Sequence, residues 1–225
     1  MKKHLLGLIV LCCVSFATFA QEKGNFEVAG DIGMDVATVT VPNYNSYNSY
    51  NNTQDGGYRV RFNGGVSGEY YFSEGWGIKV KVNYDEKGWS NGYITDQNQN
   101  TYSTHYKLNY ITIPLMANWH FGRTRNWYLN FGPYIGFLTS ASETTFGTDV
   151  KSAFNSTDAG LAFGIGVKIP VSENVKFLAE YQGEAGLATI FQSFTQNPTT
   201  LNSSYGLNVG LAFNLSNSSG SHRNY

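Results

Sequence analysis

From residue 21 onward the chain sorts its apolar residues by alternation. Tyr58, Val60, Phe62, Val66, Tyr70 and Phe72 share one parity, and Arg59, Arg61, Asn63, Gly65, Ser67 and Glu69 share the other. Trp76, Ile78, Val80, Val82 and Tyr84 alternate with Gly77, Lys79, Lys81 and Asn83. Near the end, Tyr205, Leu207, Val209, Leu211 and Phe213 alternate with Gly206, Asn208, Gly210, Ala212 and Asn214. A strand places such residues on two faces, whereas a helix would scatter them around its circumference. The pattern predicts eight strands, at about 26–41, 58–72, 76–89, 105–120, 127–141, 158–169, 175–188 and 204–215. The fourth mixes its phases, with Tyr106, Leu108 and Tyr110 in one and Ile111, Ile113 and Leu115 in the other. Pro114 cannot donate to a ladder, so a bulge is expected there.

The connections alternate in length. Residues 42–57, 90–104, 142–157 and 189–203 are long and rich in Asn, Ser, Thr, Gln and Tyr. Residues 73–75, 121–126 and 170–174 are short, with Gly122, Pro170 and Asn174 as turn formers. Long loops on one side and short turns on the other are the habit of outer-membrane barrels, whose short turns face the periplasm. The predicted fold class is all-β: an eight-stranded antiparallel up-and-down transmembrane β-barrel with both termini on the short-turn side. The first long loop contains the low-complexity tract NYNSYNSYNN, residues 43–52, read as an exposed tip.

Composition narrows the class further. Mean hydropathy is −0.29, and no long apolar run follows the first twenty residues. That excludes a helical membrane protein, whose every span needs about 20 mostly apolar residues. It does not exclude a membrane barrel, whose strands are apolar on one face only. Residues 1–20 are read as a signal peptide: Lys2 and Lys3 form a basic start, Leu5 to Phe16 are almost wholly apolar, and Thr18-Phe19-Ala20 suits a signal peptidase. The barrel domain is then 21–215, and 216–225 a disordered tail. Cys12 and Cys13 lie inside the leader, preceded by Leu11 and Cys12 rather than by the small residue that lipidation requires. The mature chain therefore has no cysteine and no disulfide. It carries 13 basic and 16 acidic residues, a balance that draws in no nucleic acid.

Alternation alone leaves open which face is inside; a soluble lipocalin-like carrier would bury the apolar one. Three features favour apolar-out. Aromatics gather at strand ends, with Phe72, Trp76, Trp119, Phe121, Trp127 and Tyr128 at the short turns and Tyr58, Tyr84, Trp89 and Tyr106 toward the long loops. Two such belts suit the two lipid–water interfaces. Most strands exceed the roughly 9–11 residues that cross a bilayer. The polar face carries seven acids, Glu27, Asp31, Asp35, Glu69, Asp85, Glu180 and Glu184, against seven bases, Arg59, Arg61, Lys79, Lys81, Lys107, Lys168 and Lys176. A narrow lumen needs this balance, because an unpaired buried charge is very costly. Gly65, Gly160, Gly164, Gly166, Gly206 and Gly210 leave room for the long side chains.

Four segments carry a family likeness: Tyr110-Ile111-Thr112-Ile113-Pro114-Leu115, Gly132-Pro133-Tyr134-Ile135-Gly136, Gly164-Ile165-Gly166-Val167 and Phe177-Leu178-Ala179-Glu180-Tyr181. In their order and spacing the chain resembles the PorT-like outer-membrane β-barrel proteins, also labelled porin-family or outer-membrane β-barrel domain proteins. The resemblance implies a barrel in a bacterial outer membrane. PorT itself is linked to protein secretion, but no residue here carries that role over. Gly164 to Gly166 is not a nucleotide loop, since it lies within a strand and no helix follows.

Chemistry is sparse. His105, beside Ser103 and Thr104, is the one base near the long-loop rim, and His120 lies near the short turns. Neither has a nucleophile elbow, metal-ligand spacing or a second histidine near it. No enzyme activity, cofactor or metal is expected. The function expected is an integral outer-membrane barrel with a structural, interaction or envelope-transport role. The alternatives are a small porin-like channel, though eight strands leave an interior about filled by side chains, and the soluble carrier. The expected partners are outer-membrane lipid and, through the long loops, other envelope proteins; the barrel is expected to be a monomer.

Overall fold

The computed structural model describes residues 23–41, 56–192 and 199–215. The leader, the tract at 43–52 and the tail at 216–225 lie outside them. Eight strands form one closed barrel: β1 (Phe26–Thr40), β2 (Arg59–Tyr71), β3 (Trp76–Thr95), β4 (Thr101–Phe121), β5 (Trp127–Glu143), β6 (Thr157–Pro170), β7 (Val175–Gly186) and β8 (Leu201–Asn214). Each pairs antiparallel with its chain neighbour, and β1 pairs with β8 from Glu27↔Asn214 to Thr40↔Leu201. Closure leaves no edge strand along the wall, so the ladders pair around the whole ring.

The apolar parity faces out. Ile32, Val80, Phe163 and Leu207 are exposed, while Asp31, Glu69 and Lys79 are buried inside. A soluble carrier would show the reverse. Val80 sits midway between Trp76 and Tyr84 on the outer face of β3. Val80→Arg should therefore destabilise the barrel by about 2–4 kcal/mol, the range for an arginine facing lipid at the bilayer midplane. Urea titration of the protein folded into phospholipid vesicles measures it; an unchanged midpoint would mean that this face meets no hydrocarbon.

The second long connection is mostly strand. β3 runs on to Thr95 and β4 starts at Thr101, so 90–104 forms a hairpin that projects beyond the wall. Its turn is organised by Asp96, whose Oδ1 accepts from the backbone N–H groups of Asn98 and Asn100 at 2.8 Å each. Polar composition hid these strands, since Tyr93, Ile94 and Tyr102 are too few among Asn, Ser and Thr to show a period. At its base the register shifts between Trp89 and Gly92. Gly88 lies nearby with φ +122°, and a Cβ there would stand 2.1 Å from the Tyr106 carbonyl oxygen.

Pro114 makes no bulge. Pairing of β4 with β3 skips Ile113 and Pro114 and resumes in the same register at Leu115. The missing N–H removes a ladder bond without displacing the strand. The bulge lies higher: Asn109 pairs with Ser140 and Tyr110 with Leu138, leaving Thr139 of β5 as the extra residue. Consequently β4 keeps a single phase. Leu108, Tyr110, Thr112, Met116, Asn118 and His120 all face the lumen, and both apolar phases read in the sequence are real, one inside and one outside.

Candidate functional site

Among the described residues, most charged side chains converge in the lumen. Alternate residues of every strand point into it, and glycines make way for the larger ones. A Cβ at Gly166 would fall 2.5 Å from the Tyr128 ring, and one at Gly160 2.8 Å from the Tyr134 ring.

At the short-turn end, Lys168 is bound to Glu27, to Glu69 at 2.7 Å and to the Tyr71 hydroxyl at 3.0 Å. Lys176 reaches the other oxygen of Glu27 at 2.8 Å. Glu69 also holds His120 Nε2 at 2.7 Å and accepts from Asn118 Nδ2 at 2.8 Å. One level up, Lys79 binds Glu180 at 2.9 Å, and Lys81 binds Asp31 at 2.7 Å. Asn130 donates to Glu180, and Asn208 to Asp31. The Tyr128 ring lies 5.4 Å from both Lys79 and Lys168 Nζ. Closer to the long loops, Lys87 bridges Glu184 at 2.7 Å and Asp158 at 3.3 Å, with the Tyr134 ring 4.5 Å away.

Above this ionic stack the lumen turns apolar. Val39, Trp89, Leu108, Tyr110, Leu138 and Ala141 from the strands pack with Phe154 and Ile190 from two connections. Trp89 stacks on Tyr106 at 4.5 Å and meets Phe154 and Phe191 edge-on at 6.1 Å each. Phe154 and Phe191 also form an antiparallel bridge, and Asn155 Nδ2 donates to the carbonyls of Thr189 and Phe191. The connections after β5 and β7 are thus tied together across the mouth as a cap. Next to it, at the end of β5, Glu143 forms a carboxylate nest. The backbone N–H groups of Thr148, Phe146 and Thr145 and the Thr104 hydroxyl all donate to its carboxylate.

The sequence-derived lumen residues divide as follows. Glu27, Asp31, Asp35, Glu69, Lys79, Lys81, Asp85, Lys168 and Glu180 are buried inside; Lys176 and Glu184 are inside and partly buried. Arg61 aligns with Asp35 across β1 and β2, yet its guanidinium goes to Glu86 at 3.4 Å, and Arg59 donates to the Tyr106 carbonyl at 3.2 Å. Lys107 is a correction. With β4 in one phase it stands on the outer wall, 3.1 Å from Glu86. Lys87, Asp158 and His120 are lumen residues that sequence reasoning missed. Lys87 shares the parity of Lys79 and Lys81, and Asp158 that of Gly160 and Gly164, so extending the alternation would have found them.

Among the aromatics, Phe72, Trp76, Trp119 and Trp127 at the short turns and Tyr58 and Tyr84 above are exposed on the outer face. Phe121 is half-buried beside Trp119. Three belt assignments are corrected. Tyr128 is fully buried in the lumen, and Trp89 and Tyr106 belong to the cap because their rings pack on loop aromatics rather than on lipid. His105 is exposed on the rim, where its backbone N–H donates to Thr144 Oγ1 at 3.3 Å. Among the described residues, no group of three His, Cys, Asp or Glu side chains could hold a metal ion.

No curated protein matches the chain in sequence. Solved structures share its fold. The outer membrane protein OprG from Pseudomonas aeruginosa superposes with a TM-score of 0.51 at 11% identity, over 87% of this chain and 97% of that one. The outer membrane protein AlkL, determined in lipid bilayers, gives 0.51 at 9% identity, over 91% and 96%. A family model described as the outer membrane protein beta-barrel domain matches residues 19–192, ending in the connection before β8. With eight antiparallel strands closed in a ring, apolar outside and ionic within, the chain belongs to this family of outer-membrane β-barrel proteins.

Proposed function

We propose that the protein is a closed, non-catalytic barrel that displays its long-loop end at the cell surface, with a structural or interaction role. The observation that carries this reading is a lumen blocked twice, by the Lys168–Glu27–Glu69 network below and by the aromatic cap above. A conducting path would need both to move. Most of the charges inside are engaged with one another, as a filled eight-stranded barrel requires. The residues that carry the PorT-like likeness support a scaffold role: Ile111, Ile113 and Leu115 face outward, and Gly164 and Gly166 make room for Asn130 and Tyr128. Absence of catalysis fits the two histidines among the described residues, since the His120 ring is engaged by Glu69 and His105 is exposed on the rim.

Purified protein in planar bilayers is expected to show no stable open state. A reproducible conductance from the wild-type chain would reject this reading in favour of a small channel. Capture of envelope proteins on the immobilised full chain, compared with a variant whose 96–100 turn is replaced by Asn-Gly, tests whether the projecting hairpin carries the interaction.

A further inference from the structure

Between β2 and β3 the ladder stops short of the long-loop end. Its last pair is Asn63↔Asp85, and the next backbone contact is the isolated Gly57↔Ser90 bridge. Between those points residues 58–62 and 86–89 are not paired with each other. Side chains stitch this seam instead. Ser90 Oγ donates to the Tyr58 carbonyl at 3.2 Å, Arg59 to the Tyr106 carbonyl at 3.2 Å, and Arg61 to Glu86 at 3.4 Å.

Arg61 differs from the other two. It has the lumen parity of Asn63, whose amide bonds to Asn208 inside, whereas Glu86 has the outer parity of the exposed Tyr84. The guanidinium therefore passes through the seam to reach its partner. Its bond to Glu86 is long, and its Nε and Nη2 groups are buried with no acceptor. Buried donors left unmade are costly, and a guanidinium has five to place.

A second acceptor stands beside it. Asp35 is the register partner of Arg61 and is 5% exposed. Its Oδ1 accepts nothing, and its Oδ2 receives only the Gln182 amide, at 3.5 Å. The carboxyl lies over Gly206 of β8, where a Cβ would fall 2.2 Å from Oδ1. From β3 it feels Lys81, Lys87 and Asp85, and from β7 Glu184. Both lysines are committed, Lys81 to Asp31 and Gln182, and Lys87 to Asp158 and Glu184. Among the described residues, Arg61 is the cation placed to pair with Asp35. Its departure would not strand Glu86, because Lys107 stays 3.1 Å away.

We propose that Arg61 is a two-position latch on the β2–β3 seam, controlled by the charge on Asp35. With Asp35 neutral, Arg61 reaches out to Glu86 and ties β2 to β3, the arrangement of this structure. With Asp35 ionised, Arg61 turns inward to it, because a buried carboxylate without a counter-charge is strongly unfavourable. The seam then keeps only Arg59, the Ser90 hydroxyl and the Gly57–Ser90 bridge, and the hairpin at 90–104 is held more loosely. The latch belongs to the barrel wall itself, so it stands or falls apart from the display role proposed above, which the bilayer recordings test.

The experiment is NMR of the full barrel refolded in detergent micelles, from about pH 5 to about pH 9. The Arg61 Nε–H and Asp35 Cγ signals of the wild type are expected to change in one step with a common midpoint. Above it the Ser90 amide should lose protection by about fivefold, after correction for intrinsic exchange. Asp35→Asn should abolish the Arg61 step and leave its signal at the acid position. Glu86→Gln should lower the midpoint, since the outward position loses its charge. An Arg61 signal constant over the whole range would overturn the proposal, as would wild-type midpoints that differ, whether or not a variant folds. So would an Arg61 step that survives in Asp35→Asn, or a midpoint that Glu86→Gln leaves unmoved.

Discussion

Lys168→Met should lower the stability of the folded barrel by about 3–5 kcal/mol, the cost of removing one partner from a buried ionic cluster. Lys168 Nζ is the shared donor for Glu27, Glu69 and the Tyr71 hydroxyl, and its side chain is 3% exposed. Without it, Glu27 keeps only Lys176 and the weak Tyr71 contact, while Glu69 keeps His120 and Asn118. Neither carboxylate can reach water to compensate. Lys23→Met, at an exposed lysine before β1, is the control and should change stability by under about 0.5 kcal/mol. Denaturant titration of the refolded protein, followed by heat-modifiable gel migration, compares the two. A Lys168 variant as stable as the control would show that the cluster is not the seal described above.

The second large effect is expected at the opposite end. Trp89→Ala removes the ring on which Tyr106, Phe154 and Phe191 converge, and the loss of a buried tryptophan typically amounts to about 3–5 kcal/mol. Here the loss should be local. Phe154 and Phe191 belong to connections and Tyr106 to the upper part of β4, whereas the ladders below are untouched, so the cap opens before the wall does. Hydrogen exchange should show Phe154, Asn155 and Ile190 losing protection while β6 and β7 near the short turns keep theirs. The backbone bonds to watch are Asn155 N–H to the Ile190 carbonyl at 2.7 Å and Gln192 N–H to Ala153 at 3.0 Å. Uniform loss across the barrel, or none anywhere, would contradict a separable cap.

How much of this was legible depended on how strictly a strand must alternate. Where one face meets lipid and the other meets charge, period two is enforced, and β2, β8 and β3 as far as Trp89 were readable almost residue by residue. The cap was not. Trp89, Leu108 and Tyr110 occupy lumen positions with residues that elsewhere mark the outer face, so a period-two reading took Leu108 and Tyr110 as a change of phase. The true irregularity, Thr139 on the neighbouring strand, has no proline or glycine to announce it. Similar logic explains Lys107, whose outward position beside Glu86 follows from the single phase of β4 rather than from its own residue type. Loop aromatics such as Phe154 and Phe191 carry no periodic signal, because tertiary contacts alone decide where they go.

The seam between the first and last strands has a consequence for biogenesis. Asn208 reaches Asp31 across 177 residues of chain, and the whole of β1 waits for β8 as its second neighbour. Contacts so remote in sequence form slowly and late. Until the C-terminal strand is delivered, β1 remains a bare ladder edge on a greasy, half-made sheet, the kind of species that aggregates in water. Closure is thereby a late event that a truncated chain lacking residues 201–214 could not complete.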